Sequence, residues 1–440
     1  MNLGRHSFIY LIAVGVLTHS SFAQQPQQLS KLDRDRAKSM LEQVANDVRK
    51  HYYDPNLHGV NWDATVQEFK AKIEKAESNG RAFSEIAAAL DTLKDSHTFF
   101  LSPQRANRRD YGWQMQMVGD RCFVVRVRPS SDAETKGLKP GDEVLSINGF
   151  QPTRENFWKM EYVFNILRPQ PSLRLVYREP SGAEHQSDLI AKITELKRQT
   201  DLTTGTDFWD VLREEESAEH RMRIRFAEFG DDLIIVKFPE FAFTQSEIYD
   251  LLGKIRKRHS LLLDLRGNPG GSVETLQQFL GGMFENEVKI GDRVGREAHK
   301  PQVTKPHGHD PFTGKLVVLV DSKSGSAAEL FARVVQLEKR GTVIGDHSSG
   351  SVMEAKHYSY KNGTDVVVFY GASITDADII MKDGKSLEHT GVTPDEVLLP
   401  TGPDLAGDRD PVMAHAAETL GVKLTPEQVG KLFPYEWAPQ

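Results

Sequence analysis

Ser326 stands where the sequence changes period. Leu316 to Val320 is an apolar, β-branched run of strand length, and Asp321 to Gly325 is polar turn material. From Ala327 apolar residues recur at Leu330, Val334 and Leu337 until Gly341 stops the pattern, which predicts a helix. A hydroxyl at such a corner projects from the sheet edge. It lies beside the first helical N–H groups, which have no intrahelical acceptor. An oxyanion formed next to Ser326 would meet those donors, so acyl transfer through a serine nucleophile is one chemistry the corner supports. Serine is also a favoured helix N-cap, and by residue type alone Ser326 stays open between cap and nucleophile.

Other residues bear on that choice. His97 lies in LKDSHTFF, directly after Ser96 and just past a helical stretch; its pKa suits base chemistry, but a lone histidine reads equally as a surface residue. RGNPGGS, Arg266 to Ser272, is a glycine-rich turn between strand and helix without dinucleotide or P-loop spacing. Gly270 and Gly271 there let backbone N–H groups approach a reacting atom closely. Glu388, taken alone, reads as a surface turn carboxylate. His307 and His309 have no carboxylate or third histidine at ligand spacing, so neither a metal nor another cofactor is expected.

The elements that must position these groups span 440 residues, enough for two or three domains. Lys plus Arg number 55 against 62 Asp plus Glu, a net charge of −7 that gives no electrostatic case for nucleic acid. The single cysteine, Cys122, excludes an internal disulfide framework and a cysteine-based zinc site. Residues 1–23 read as a secretory leader: Arg5 and His6, the apolar stretch Phe8 to Leu17, and Ser21-Phe22-Ala23 before the cut. The apolar stretch is too short for a membrane anchor, so the mature chain is expected to begin near Gln24, outside the cytoplasm. Residues 29–105 carry helical periodicity in Ala37 to His51, Trp62 to Ala76 and Ser84 to Leu93. Residues 111–193 turn to short β-like runs, and 194–221 read as a polar linker with one helix, Asp207 to Glu214. Residues 222–440 alternate strands (Leu233 to Phe238, Ser260 to Leu265) with helices (Ser246 to Lys257, Val273 to Phe284). Glu287 to Phe312 is expected to be loop, Asp346 to Ser351 a flexible polar loop, and Lys356 to Tyr370 a hairpin turning at Asn362-Gly363.

GLKPGDEVLSINGF, Gly137 to Phe150, resembles the corresponding stretch of PDZ domains, with the carboxylate-binding loop near Tyr111 to Gln114. LLLDLRGNPGGS, SGSAAELFA and LEHTGVTPD, in that order behind it, resemble the C-terminal-processing, or tail-specific, serine protease family. The Asp-Ser-His of the helical front is similar to the tricorn-core branch. The resemblance implies a multidomain α+β protein: a helical N-terminal domain, a PDZ-like β domain and a crotonase-like α/β catalytic domain. It implies Ser326 as nucleophile, His97 as general base, Ser96 as its neighbour and Glu388 as the carboxylate completing the relay. Ala327 N–H, with that of Gly270 or Gly271, would form the oxyanion hole. The other branch of the family uses a lysine base in a loop where this chain offers Ser351, which leaves Lys323 and Lys356 as weak substitutes. The implied activity is endopeptidase cleavage of extended or C-terminal peptide segments. A catalytically silent PDZ scaffold is the rival. A crotonase-type acyl-CoA enzyme is a second rival, disfavoured by the leader because CoA is cytoplasmic.

Overall fold

The computed structural model describes residues 29–105, 107–195, 223–297, 299–306, 310–363 and 367–437. The leader, most of the linker with its helix, and His307 and His309 lie outside the described residues.

Three helices open the described chain: α1 (Lys31–His51), α2 (Trp62–Glu74) and α3 (Asn79–Asp91). Ser30, Asn61 and Ser78 cap them, each side chain accepting a backbone N–H of the first turn. Their apolar faces, among them Leu41, Val44, Val48, Ile73 and Ile86, bury a core that is not theirs alone. Tyr370, Ala372 and Ile374 of a strand far along the chain complete it. The short strand β1 (Phe99–Leu101) leaves this bundle and will pair with that same strand.

A ribbon follows, β2 (Asn107–Asp110) with β8 (Lys192–Glu195), closing off an antiparallel sheet ordered β3 (Trp113–Val118), β4 (Arg121–Val127), β5 (Glu143–Ile147), β6 (Ser172–Arg178) and β7 (Glu184–Ile190). Met115, Met117, Val124, Val144 and Leu175 fill its core against helix α5 (Phe157–Tyr162), with α4 (Asp132–Thr135) beside β7. β3 is an edge strand of that sheet. It is docked on the remainder of the molecule. Asp346 accepts Gly119 N–H and pairs with Arg154 (2.6 Å), and the Ser322 hydroxyl donates to Met117 O (2.5 Å).

The last part begins with β9 (Arg225–Phe229), β10 (Leu233–Lys237), helix α6 (Gln245–Ile255), β11 (Ser260–Asp264) and helix α7 (Val273–Gly281). It continues through β12 (Lys289–Val294), β13 (Gln302–Val303), β14 (Lys315–Val320), helix α8 (Ala327–Leu337), β15 (Thr342–Gly345), β16 (Glu354–Asn362), β17 (Val368–Met381) and β18 (Glu396–Val397). One sheet runs β18-β15-β14-β11-β10-β9, parallel except for the β9–β10 pair. Its central strands are apolar between their end residues, as strands covered on both faces are expected to be, and the buried Asp264 at the end of β11 is paired with Lys237 and Arg266. One face packs on α6, α7 and α8, the other on Val412, Met413 and Ala416 of a C-terminal helix, α9 (Pro411–Thr419).

The second sheet runs β1-β17-β12-β13, with β16 also on β17. It corrects two expectations. Glu287 to Phe312 is not all loop: β12 buries Ile290 and pairs with the far half of β17, while its polar Arg293 is satisfied by Glu354 (2.6 Å). The hairpin expected over Lys356 to Tyr370 forms, but its second strand is longer than expected: Asn362 pairs with Val368, and β17 runs on for 14 residues because β1, β16 and β12 all pair with it.

Candidate active site

β14 ends at Val320, and the turn that follows is tied to the neighbouring glycine-rich turn. Ser324 Oγ donates to Leu265 O (2.9 Å) and Gly325 N–H to Asn268 O (2.9 Å). Ser326 then adopts φ 52° and ψ −118°, a region that residues with a Cβ avoid. The caps of this chain look different: Ser30 (φ −64°, ψ 156°) and Thr244 (φ −70°, ψ 160°) are extended and accept a helix N–H on the side chain. Ser326 makes no such side-chain bond. Its conformation costs on the order of 1–3 kcal/mol, which the surroundings must offset. Its N–H is gripped by Ser351 O (2.7 Å) and by Glu329 Oε2 (3.0 Å), leaving the hydroxyl uncommitted.

The glycine turn abuts this elbow. A Cβ placed on Gly270 would lie 2.5 Å from Ser326 Cβ, 2.9 Å from Gly325 O and 3.0 Å from Ala327 N. Gly270 and Gly271 have φ of 106° and 134°, open to glycine and strained for other residues. Gly270 N–H is already committed to Asn268 Oδ1 (2.8 Å), whose amide in turn donates to Phe238 O (2.8 Å). Of the two glycines offered by the sequence, Gly271 is therefore the one with an available donor. Among the described residues neither Gly271 N–H nor Ala327 N–H has an acceptor.

His97 arrives from the other end of the chain in the loop just before β1, which is held by the pairing Phe99↔Ser373. The loop before it is wound around Asp95, a buried residue. Its carboxylate accepts His97 N–H (2.8 Å), Thr98 N–H (2.9 Å), Thr98 Oγ1 (2.9 Å) and the Thr375 hydroxyl of β17 (2.7 Å). Glu388 is no surface carboxylate, for its side chain is 10% exposed. It accepts Ser96 N–H (2.8 Å), the Ser96 hydroxyl (2.9 Å) and Val352 N–H (3.0 Å). Ser96 Oγ also lies 2.7 Å from His97 Nδ1. Because the single hydroxyl proton goes to Glu388, Ser96 Oγ must accept from His97 Nδ1–H, which leaves the Nε2 lone pair free. Burial pushes the His97 pKa below its usual value; the Asp95 charge opposes that shift and His357 reinforces it. Burial pushes the Glu388 carboxyl up, against the pull of its donors from Val352 and Ser96.

The Ser326 side and the His97 side meet at consecutive residues: Ser351 O holds Ser326 N–H, and Val352 N–H holds Glu388. Among the described residues no hydrogen bond joins His97 to Ser326. The lysines offered as substitutes are engaged elsewhere, Lys323 with Glu161 (3.2 Å) and Lys356 with Asp376 (2.7 Å). Asp346 to Ser351 is no loose loop; Ser348 and Gly350 are buried against Glu329. Asp95 and Glu329 were not singled out from sequence. The spacing Ser326-x-x-Glu329 reads as an ordinary capping box, and Asp95 as a turn residue. A cleft of about 1130 Å³ lies elsewhere, between β3 and the β14 turn, and does not include Ser326, His97 or Glu388.

Residues 232–398 match the model of Peptidase family S41, residues 33–85 that of the Tricorn protease C1 domain, and residues 101–176 that of the PDZ domain. The chain is similar to chloroplastic carboxyl-terminal-processing peptidase 1 of Arabidopsis thaliana, with 23% identity over 80% of this chain and 69% of that protein. It is also similar to the carboxyl-terminal-processing protease of Picosynechococcus, with 25% identity over 87% and 88%. The tail-specific protease of Haemophilus influenzae is 24% identical over 78% of this chain and 53% of that protein. The fold is shared with mature CPAF complexed with lactacystin (TM-score 0.64, 14% identity, 91% of this chain and 98% of that one). It is shared too with the photosystem II D1 C-terminal processing protease (TM-score 0.52, 17% identity, 89% and 99%).

Proposed function

We propose, from the premise that the chain belongs to the C-terminal-processing serine peptidases of family S41, that it cleaves extended or C-terminal peptide segments through an acyl-enzyme on Ser326. His97 Nε2 takes the Ser326 proton as Oγ bonds to the scissile carbonyl carbon. The carbonyl oxygen becomes an oxyanion facing Gly271 and Ala327 N–H. Collapse breaks the C–N bond, and the proton passes from His97 to the leaving amine. Water then attacks the ester with His97 again as base, restoring the Ser326 hydroxyl and releasing the new carboxyl end. Ser96 relays Glu388 to His97, fixing the ring tautomer and stabilising the imidazolium formed at each step.

The observation that carries this reading is the Ser96 hydroxyl, 2.9 Å from Glu388 and 2.7 Å from His97, linking residues 292 positions apart, with Glu388 tied to Ser326 through the consecutive residues Val352 and Ser351. The PDZ domain supplies an edge strand, β3, whose first residues, ahead of the Met117 carbonyl taken by Ser322, offer an extended peptide a place to add. Residues 1–23 are taken as an export leader, which places the activity outside the cytoplasm or in the periplasm. Among the described residues no helix is long and apolar enough to cross a membrane.

A fluorophosphonate probe tests the assignment. Labelling of the wild type that vanishes in Ser326→Ala and falls in His97→Ala is the expected result. A folded wild type that is never labelled would favour the silent peptide-binding scaffold.

A further inference from the structure

Glu329 is fully buried in the first turn of the nucleophile helix, and none of the steps above uses it. Its Oε2 accepts Ser326 N–H (3.0 Å) and Ser351 N–H (2.9 Å); its Oε1 accepts Gly350 N–H (2.7 Å) and the Ser348 hydroxyl (2.5 Å). Ser348 Oγ also accepts Val392 N–H (2.6 Å), which extends the cluster towards the segment carrying Glu388. Among the described residues no cation forms an ion pair with this carboxylate. Four hydrogen bonds alone compensate its burial. They converge on the two features that matter most for chemistry: the strained backbone of Ser326, and the segment whose next residue, Val352, holds Glu388.

We propose that ionised Glu329 is a positioning residue for peptide cleavage, a single junction that holds the nucleophile elbow in register with the Glu388-Ser96-His97 relay. The inference rests on Ser326 and His97 having the roles given above. Three of the four partners are backbone N–H groups and can only donate. A protonated carboxyl can pass its proton only to Ser348 Oγ and accepts more weakly from the three N–H groups, so the junction loosens at Ser326, Gly350 and Ser351. Burial raises the carboxyl to about 7, so the junction is built to come apart near neutrality. The charged and titratable groups nearest along the packed elements are Asp346 and His347 in the same loop, Arg333 on α8 and Glu388 across Val352. Arg154 is paired with Asp346 and Arg333 with Asp383, so neither cation neutralises Glu329.

The test compares fluorophosphonate labelling rates and peptide turnover of the full chain with those of Glu329→Gln and Ser348→Ala across pH. Glu329→Gln should lower kcat about a hundredfold with KM within a fewfold, because loss of register displaces the nucleophile by a fraction of an ångström to one ångström. The pH profile separates positioning from mere structural support. In the wild type the acid limb should reach a slope of two, from Glu329 and His97; in Glu329→Gln it should keep a slope of one. Ser348→Ala, which leaves three donors, should lose less than tenfold and move the Glu329 limb to higher pH. Equal rates and an unchanged slope of two in folded Glu329→Gln would overturn the proposal. A Glu329→Gln protein that fails to fold leaves the decision to Ser348→Ala, where an unmoved limb overturns it. Absence of wild-type labelling would instead count against the role of Ser326 itself.

Discussion

Replacing Gly270 with alanine should silence Ser326 while the domain stays folded. The added methyl would sit 2.5 Å from Ser326 Cβ, with Gly325 O at 2.9 Å and Ala327 N at 3.0 Å closing the other sides. Carbon atoms in contact settle near 3.5 Å, so the elbow must retreat by about 1 Å. None of the three obstacles is the far end of a flexible side chain. A shift of about 1 Å at a reacting atom is enough to cost roughly a hundredfold in rate. The same shift drags Ala327 N–H, a proposed oxyanion donor, whose loss alone costs on the order of 10²–10³. Alanine at φ 106° adds backbone strain on the order of 1–3 kcal/mol, which denaturant unfolding would register. Gly267→Ala is the control: its φ is 72°, so it carries comparable strain, but nothing lies within 4 Å of the new methyl. The second-order rate of fluorophosphonate labelling should fall at least a hundredfold in Gly270→Ala and stay near wild type in Gly267→Ala. Folded Gly270→Ala labelled at the wild-type rate would refute the placement of the glycine turn against the nucleophile.

Three further outcomes are expected. Ser96→Ala should lower labelling by about 10–10³-fold and Glu388→Gln by a similar factor, with the double variant no worse than the poorer single one, since both act through one hydroxyl; additive losses in a double-mutant cycle would contradict the relay. Asp95→Asn removes the charge that holds the His97 pKa up, so that pKa should drop further and the histidine limb of the pH–rate profile should move to lower pH; a move to higher pH would reverse the sign of the Asp95 effect. Arg154→Ala leaves the buried Asp346 carboxylate without its cation and should destabilise the docking of the β3–β7 sheet by about 1.5–3 kcal/mol, seen as earlier proteolytic cutting of that domain at unchanged catalytic-domain stability.

What the sequence disclosed was set by range. The corner at Ser326 was legible because a strand period gives way to a helical one within a few residues, and the PDZ-like sheet because its turns carry their own glycine and proline chemistry. Glu388, Asp95 and Glu329 are ordinary by local pattern; the first two take their meaning from partners that the β1–β17 pairing brings together, and Glu329 from the loop Ser348 to Ser351 folded back onto its helix. Glu388 finds Ser96 292 residues away, and Asp95 finds Thr375 280 residues away. The strand at Lys289–Val294 was hidden for the same reason, its polar Arg293 being satisfied by Glu354 of a strand that pairs with β17. At Ser326 itself a local rule misleads. Ser-x-x-Glu has the spacing of a capping box, but only the glutamate half forms, because φ 52° turns the hydroxyl away from the helix.

The pairing of β1 with β17 also sets a timetable. During synthesis the imidazole emerges first, the alcohol more than two hundred residues later, and the carboxylate that steadies the imidazole last of all. A half-made or half-folded chain thus holds the proposed catalytic groups in separate pieces. Closure of the β16–β17 hairpin over the first helices, which gives the helical front and β17 one hydrophobic core, is the step that would bring the proposed groups together.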